Sequence, residues 1–181
     1  MTTQKLRRAE ILCVGTELLI GDIVNTNAAY LSRRLANLVI GVYRQSVVGD
    51  NPERLAEDLR TALDRADLVI TSGGLGPTND DLTKETAARV FGRTMEMHQP
   101  SLARIQRYFT ATGRVMTENN KKQAMMPVGA HIFDNDYGTA PALALTREDG
   151  KILVMLPGPP RELEPLFRER VEPFLQPLCG F

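Results

Sequence analysis

The chain predicts an α/β domain built on a largely parallel sheet, with helices on both faces and one antiparallel strand. Three observations carry this. Short apolar runs bounded by Gly or polar clusters recur at residues 10–15, 39–49, 67–74, 141–146 and 151–158, the pattern of buried strands. Helical spacing of apolar residues fills the first gaps between them, so the order strand, helix, strand, helix, strand requires right-handed crossovers. The last two runs are separated only by "RED-G", a hairpin turn that forces one of its strands to run against the rest.

Taken in order, the first helix places Tyr30, Leu31, Leu35 and Leu38 on one face, and the second does the same with Leu55, Leu59, Ala62, Leu63 and Ala66. Asp50 or Asn51 can cap the second, with Pro52 in its first turn. A third helix is expected from Thr83 as N-cap through Ala87, Val90 and Phe91. A fourth carries Leu102, Ile105 and Phe109 inward until Gly113 stops it. The last starts near Pro160 and buries Leu163, Leu166, Phe167, Val171 and Phe174, with Pro165 bending its first turns. Residues 113–138, rich in Asn, Gly and Pro, show no clear strand and are expected to fold over a functional site.

At 181 residues, 43% hydrophobic and 24% charged, the chain can bury one core, and neither a repeat nor a linker divides it, so residues 1–181 read as a single domain. Twenty-two basic residues balance 22 acidic ones, which argues against nucleic acid as a partner. Two cysteines, Cys13 and Cys179, cannot form a disulfide framework or a Cys-rich zinc site, and a reducing cytoplasm is the expected setting. The opening "MTTQKLRRAEILCVG" has too short an apolar run for an export signal, and no run approaches the ~20 apolar residues that span a bilayer, so no membrane association is expected.

In such a sheet the loops after parallel strands form the binding crevice. Three are readable: "GTELLIGDIVNTN" (15–27), "GGLGPTNDD" (73–81) and "PGPPRE" (157–162). The glycine loop is either a plain turn or a cradle of amides for phosphate; it has neither the Walker nor the dinucleotide spacing. Asp80 and Asp81 are either helix N-terminal acids or, with Glu17 and Asp22, oxygen ligands for Mg²⁺, Mn²⁺ or a related ion such as Co²⁺. Asn25, Thr26 and Asn27 read as helix caps or as hydrogen-bonding groups for a base, a ribose or a pterin. Lys121 and Lys122 are a solvated face or a source of charge for phosphates. His98 and His131 lack ligand spacing and read as surface or packing residues, Met125 and Met126 as core, and no G-x-S-x-G elbow surrounds Ser72.

Together, "GTELLIGDIVNTNAAYLSRRLANLVIGV", "TSGGLGPTNDDLTKETAARVFGR", "NNKKQAMMPVGA", "DYGTAPALAL" and "VMLPGPPREL" resemble the amino-terminal domain of the CinA family, which is related to the molybdopterin-binding proteins MoaB, MogA and the central domain of MoeA. The resemblance implies a three-layer α/β/α molybdopterin-binding fold. In the molybdenum-cofactor relatives the glycine loop and its terminal acid lie at the pterin phosphate and metal-insertion site, which here means Gly73, Gly74, Gly76 and Asp81. Glu17 matches the acid of a "GDEL"-like block, with Thr16 before it. Proteins similar to CinA hydrolyse ADP-ribose to AMP and ribose 5-phosphate with divalent metal and potassium. The resemblance therefore implies a metal-dependent pyrophosphatase, or alternatively a binder of molybdopterin or its adenylylated form. Asp81 and Glu17 would be catalytic, and the cation would lie between Glu17, Asp22, Asp80 and Asp81. Ligand contacts would come from Gly15, Thr16, Asn25, Thr26, Asn27, Gly73, Gly74, Gly76, Pro77, Thr78, Lys122, Gly138, Thr139, Pro157, Gly158 and Pro159. Relatives commonly self-associate, so a homo-oligomer is expected. Many continue into a nicotinamide mononucleotide deamidase domain, and no such function is assigned to this chain. The family's usual "GTAPG" is "GTAPA" here, with Ala142 after Pro141.

Overall fold

A computed structural model describes residues 5–180; Phe181 and the first four residues of the basic opening stretch lie outside it. The elements follow one another as β1 (Arg8–Val14), α1 (Thr16–Leu19), α2 (Thr26–Asn37), β2 (Gly41–Val48), α3 (Pro52–Arg65), β3 (Leu68–Ser72), α4 (Thr83–Val90), β4 (Met95–Met97), α5 (Gln99–Thr112), α6 (Glu118–Lys121), β5 (Met125–Pro127), β6 (His131–Phe133), β7 (Ala142–Thr146), β8 (Ile152–Leu156), α7 (Pro160–Leu166) and α8 (Glu172–Leu175). Six strands form one sheet in the order β2-β1-β3-β8-β7-β6. The contacts β1–β2, β1–β3 and β3–β8 are parallel, while β7 is antiparallel to both β8 and β6 and is thus the single reversed strand.

Alternation along the strands divides the core in two, since successive side chains leave opposite faces of a sheet. Ile11 and Cys13 of β1, with Ile152, Val154 and Leu156 of β8, pack under Leu31 and Leu35 of α2 and Leu163, Leu166 and Phe167. Leu12 and Val14, with Leu153 and Met155, pack on the other face under Leu55, Leu59 and Leu63 of α3 and Ala87 of α4. The result is the three-layer sandwich. Asn51 caps α3, its side chain accepting from the Arg54 N–H at 3.0 Å, and Pro52 follows at the first helical position. Gly113 ends α5 in the left-handed region, as its position after Phe109 implies.

Four expectations need correction. Residues 113–138 are not strandless: they hold α6, β5 and β6, whose three-residue strands are too short to show alternation. β5 pairs antiparallel with β4 in a separate two-stranded sheet, and β6 closes the edge of the main one. Thr83 is not an N-cap; Leu82 takes that position, and the Thr83 hydroxyl donates instead to the Gly73 carbonyl at 3.0 Å. The final helix is not continuous either. After α7 the chain passes through a π-type turn over Phe167–Val171, the Glu172 N–H bonding the Phe167 carbonyl, because Pro173 can neither donate nor tolerate the carbonyl four residues back. Phe174, Leu102 and Phe109 are only partly buried.

Ala142 is fully buried and pairs with Phe133 as the first residue of β7, an extended setting that does not require glycine. Val39 is a different case. It joins α2 to β2 at φ 59°, the only non-glycine residue with positive φ among the described residues, and its side chain is 62% exposed. A β-branched residue there is strained by roughly 1–2 kcal/mol, while little burial holds it. Val39→Gly is expected to raise unfolding stability by about 1 kcal/mol in urea titration. An unchanged or lowered midpoint would show that the turn is not strained.

Candidate functional site

Strands β1, β3 and β8 are neighbours and run the same way, so the three loops leaving their carboxyl ends emerge at one edge. Their backbones nearly touch. Gly73 has φ 98°, a Cβ on it would collide with the Val14 carbonyl oxygen, and a Cβ on Gly158 would lie 3.5 Å from the Gly73 Cα. Around this junction opens a cleft of about 730 Å³. Glu17, Asn25, Thr26, Asn27, Gly73, Gly74, Gly76, Pro77, Thr78, Asp80, Asp81, Thr139, Pro157, Gly158 and Pro159 all line it.

Five sequence-predicted residues do not. The Gly15 N–H is bonded to the Val48 carbonyl at 2.9 Å. Thr16 brackets Asp50, its N–H donating to Asp50 Oδ2 at 3.3 Å while its hydroxyl oxygen accepts from the Asp50 N–H at 3.1 Å. Asp22 is exposed, at the far end of the α1 loop. Lys122 turns its ammonium under the glycine loop, donating to the carbonyls of Thr78, at 2.6 Å, and Asp81. Gly138 lies against Glu162, and a Cβ there would run into Glu162 Oε1.

The glycine loop is less uniform than its sequence suggests. Gly73 has no free amide, since its N–H donates to the Leu156 carbonyl at 2.9 Å. The N–H groups of Gly74, Leu75 and Gly76 make no hydrogen bond within the described residues, and these three form the available donor run. Such successive free amides favour an anion. Asp81 closes the loop: its Oδ2 accepts from the Thr78 N–H at 3.0 Å and from the Thr78 hydroxyl at 2.7 Å, which lays the carboxylate over Gly76. A Cβ on Gly76 would lie 2.6 Å from that oxygen.

Charge in the cleft is one-sided. Glu17, Asp50, Asp80, Asp81 and Glu162 line it, and no Lys, Arg or His among the described residues does. No group of three or more Asp, Glu, His or Cys side chains is placed to hold a metal ion among the described residues, so Glu17, Asp22, Asp80 and Asp81 do not converge as a preformed cage. The donor set, carboxylate oxygens alone, would suit a hard cation resting on one or two of them and completing its shell with oxygens from outside the chain. At the rim, Ile23 and Val24 are 56% and 80% exposed and offer an apolar wall. Asn25 caps α2, accepting from the Ala28 N–H at 3.3 Å, while the Asn27 amide donates to the Gly158 carbonyl at 2.8 Å and so ties the first loop to the last.

Three residues in or beneath the cleft escaped the sequence reading. Gln123 lines it and donates to the Thr139 hydroxyl at 2.9 Å. Glu162 is 8% exposed, and burial raises its carboxyl pKa above the usual range, with a hydrogen bond from Asn135 acting the other way. An acid on the first turn after "PGPP" was visible in the sequence, but its burial by Asn135 and Gly138 is a tertiary fact. Lys84, 3% exposed, donates to the carbonyls of Lys122 and Gln123 at 3.1 and 3.0 Å and so ties α4 to the segment carrying both. His98 caps α5 through Nδ1 and His131 stacks on Phe174, both structural roles.

Burial lowers the Lys84 pKa from 10.5 to about 8. Between those values the unfolded chain holds a proton that the folded chain lacks, so this residue's cost to stability, full below pH 8, is relieved as pH rises towards 10.5. The stability of the wild type minus that of Lys84→Met is therefore expected to grow by about 2 kcal/mol between roughly pH 7.5 and 9.5 in urea unfolding. A flat difference would mean that the buried ammonium keeps its ordinary pKa.

Comparison with known proteins places this geometry in a family. The model described as "Probable molybdopterin binding domain" matches residues 10–177. The chain is 54% identical over 171 residues to a CinA-like protein of Kosmotoga olearia, covering 94% of this chain and 41% of that protein. It is 55% identical over 168 residues to a CinA-like protein of Dictyoglomus turgidum, again covering 41% of the relative, so the chain spans about two fifths of these proteins. Among solved structures it resembles the protein CinA of Thermoplasma acidophilum with a TM-score of 0.84 and 36% identity, covering 93% of this chain and 98% of the other. The molybdopterin biosynthesis enzyme MoaB of Thermus thermophilus shares the fold, with a TM-score of 0.61 at 19% identity over 96% of this chain and 99% of its own. The chain belongs to the molybdopterin-binding domain family, in the company of the CinA-like proteins.

Proposed function

We propose that the cleft binds an adenylate-type diphosphate such as ADP-ribose and hydrolyses its anhydride to AMP and a sugar phosphate. The observation that carries this reading is the opposition of a free amide run, Gly74 to Gly76, to five cleft carboxylates with no basic side chain among them. Amides alone can hold one phosphate. Carboxylates repel a second unless a cation stands between, so the arrangement suits a doubly anionic ligand that brings a divalent ion. That ion, Mg²⁺, Mn²⁺ or Co²⁺ with potassium as a further proposal, would supply charge neutralisation at the anhydride and a lowered pKa for bound water.

The chain's own residues would position the reactants. The amides of Gly74, Leu75 and Gly76 orient one phosphoryl group, with Asp81 held over Gly76 by Thr78 so that its remaining oxygen is fixed in direction. Glu17 and Asp81 face the same cleft and are the two carboxylates on which the cation would rest, Asp80 being the exposed alternative. Ile23 and Val24 give a planar ring an apolar surface, and Asn25, Asn27 and Thr139 form the polar wall.

A second reading, binding of molybdopterin or its adenylylated form, is favoured by the family match over residues 10–177. The adenylylated pterin also carries an adenylate pyrophosphate, so the two readings share a ligand end and differ in the reaction. Purified protein incubated with ADP-ribose and Mn²⁺ is expected to release AMP, with Asp81→Asn and Glu17→Gln each lowering the rate by about 10²-fold or more. Pterin fluorescence in the purified protein, with no AMP formed under any divalent ion, would support the binding role and overturn the hydrolase.

A further inference from the structure

Glu162 stands apart from the other acids of the cleft. Glu17 lies in α1, just after β1, and Asp50, Asp80 and Asp81 lie on the loops after β2 and β3, whereas Glu162 lies in the first turn of α7 and is 8% exposed. Its placement is tightly determined. Oε1 accepts from Asn135 Nδ2 at 2.9 Å, and the same nitrogen donates to the Ala140 carbonyl at 2.9 Å. The orientation of the Asn135 amide is itself fixed, because its Oδ1 accepts from the Tyr137 N–H at 2.9 Å. Gly138 packs directly on this carboxylate oxygen, a contact that only a residue without Cβ allows.

That leaves Oε2 without a hydrogen-bond partner among the described residues, at a side chain that lines the cleft. No Lys or Arg among them pairs with this carboxylate; the nearby Arg161 acts on it only through its charge. An ionised carboxylate recognises a cation or a hydrogen-bond donor, and with no group of three or more metal-ligating side chains assembled around Glu162 among the described residues, a donor is the better match. Phosphate offers none and is repelled. In a nucleotide the donors are the exocyclic amino group of the base and the sugar hydroxyls, and the sugar is the part bonded to the phosphate that the Gly74–Gly76 amides would hold.

We propose that Glu162 Oε2 is the ribose-reading group of the cleft, accepting a hydrogen bond from a sugar hydroxyl of the bound ligand while the Gly74–Gly76 amides hold its phosphate. The inference rests on the nucleotide reading of the site and assigns it a polarity. The phosphate end lies at the loop after β3, and the sugar end lies at the turn after β8, where Asn135, Gly138 and Glu162 meet. It also gives Gly138 a task it would otherwise lack, since a side chain there would displace the acceptor.

Calorimetric affinities of the intact chain for AMP, 2′-deoxy-AMP and 3′-deoxy-AMP test this. The wild type is expected to bind AMP more tightly than at least one deoxy analogue by about 10- to 100-fold, the usual weight of a hydrogen bond to a charged group. Glu162→Met, which keeps the side-chain length but removes both oxygens, is expected to bind all three equally. Glu162→Gln, which retains the shape and the Asn135 contact, is expected to lose at least threefold of the discrimination and covers the case in which the Met variant does not fold. Equal wild-type affinity for the three ligands, or discrimination that survives in the folded variants, would overturn the assignment of Glu162 and leave the nucleotide reading standing. Failure of the wild type to bind any of them would overturn both.

Discussion

Everything at the cleft depends on three strand ends approaching at backbone distance. Gly73 sits where a Cβ would strike the Val14 carbonyl, and Gly158 sits against Gly73. A side chain on Gly73 would push the loops after β1 and β3 apart and separate the amides from the acids. The Gly73 N–H, bonded to the Leu156 carbonyl, adds a clamp that prolongs the β3–β8 pairing by one step past the strands. The Asn27 amide, bonded to the Gly158 carbonyl, closes the third side. The site is thus a consequence of parallel neighbours in the sheet and of one residue without a side chain, Gly73, at their junction.

Much of this was legible from the residues. Strand positions followed from apolar runs, the reversed strand from a turn too short for a crossover, and the meeting of three loops from the rule that parallel strands deliver their loops to one edge. What stayed hidden was decided by tertiary contact. β5 and β6 have three residues each and carry no periodicity of their own. Lys122 read as a solvated face or a charge for phosphates but serves carbonyls beneath the loop, and sequence cannot show which way a flexible ammonium turns. Gly73 read as the start of an amide cradle, yet its N–H belongs to the sheet. Glu162 was written in the same stretch as the proline turn; its carboxylate is placed by Asn135 and Gly138, more than twenty residues away.

The electrostatics set the terms for any ligand. A cleft lined by Glu17, Asp50, Asp80, Asp81 and Glu162 carries negative charge that the overall balance of 22 basic and 22 acidic residues conceals. Local fields, not net charge, govern what enters. Basic groups are close but turned away: Lys84 and Lys122 direct their hydrogen bonds to backbone carbonyls and brace the loop from behind. On the proposed reading, anion recognition would be left to peptide dipoles, which are fixed in place and need no side-chain ordering when a ligand arrives. On the proposed reading, such a site would gain affinity for phosphate when a cation accompanies it, which would link metal and ligand binding without a standing metal cage.

An amide-resolved NMR titration of the chain with AMP in the presence of Mg²⁺ reads the Gly74–Gly76 donors individually. The N–H resonances of Gly74, Leu75 and Gly76 are expected to shift strongly downfield and saturate together, while that of Gly73, already bonded to the Leu156 carbonyl, moves little. Saturable binding that leaves these three amides unmoved and perturbs residues outside the cleft would contradict this expectation.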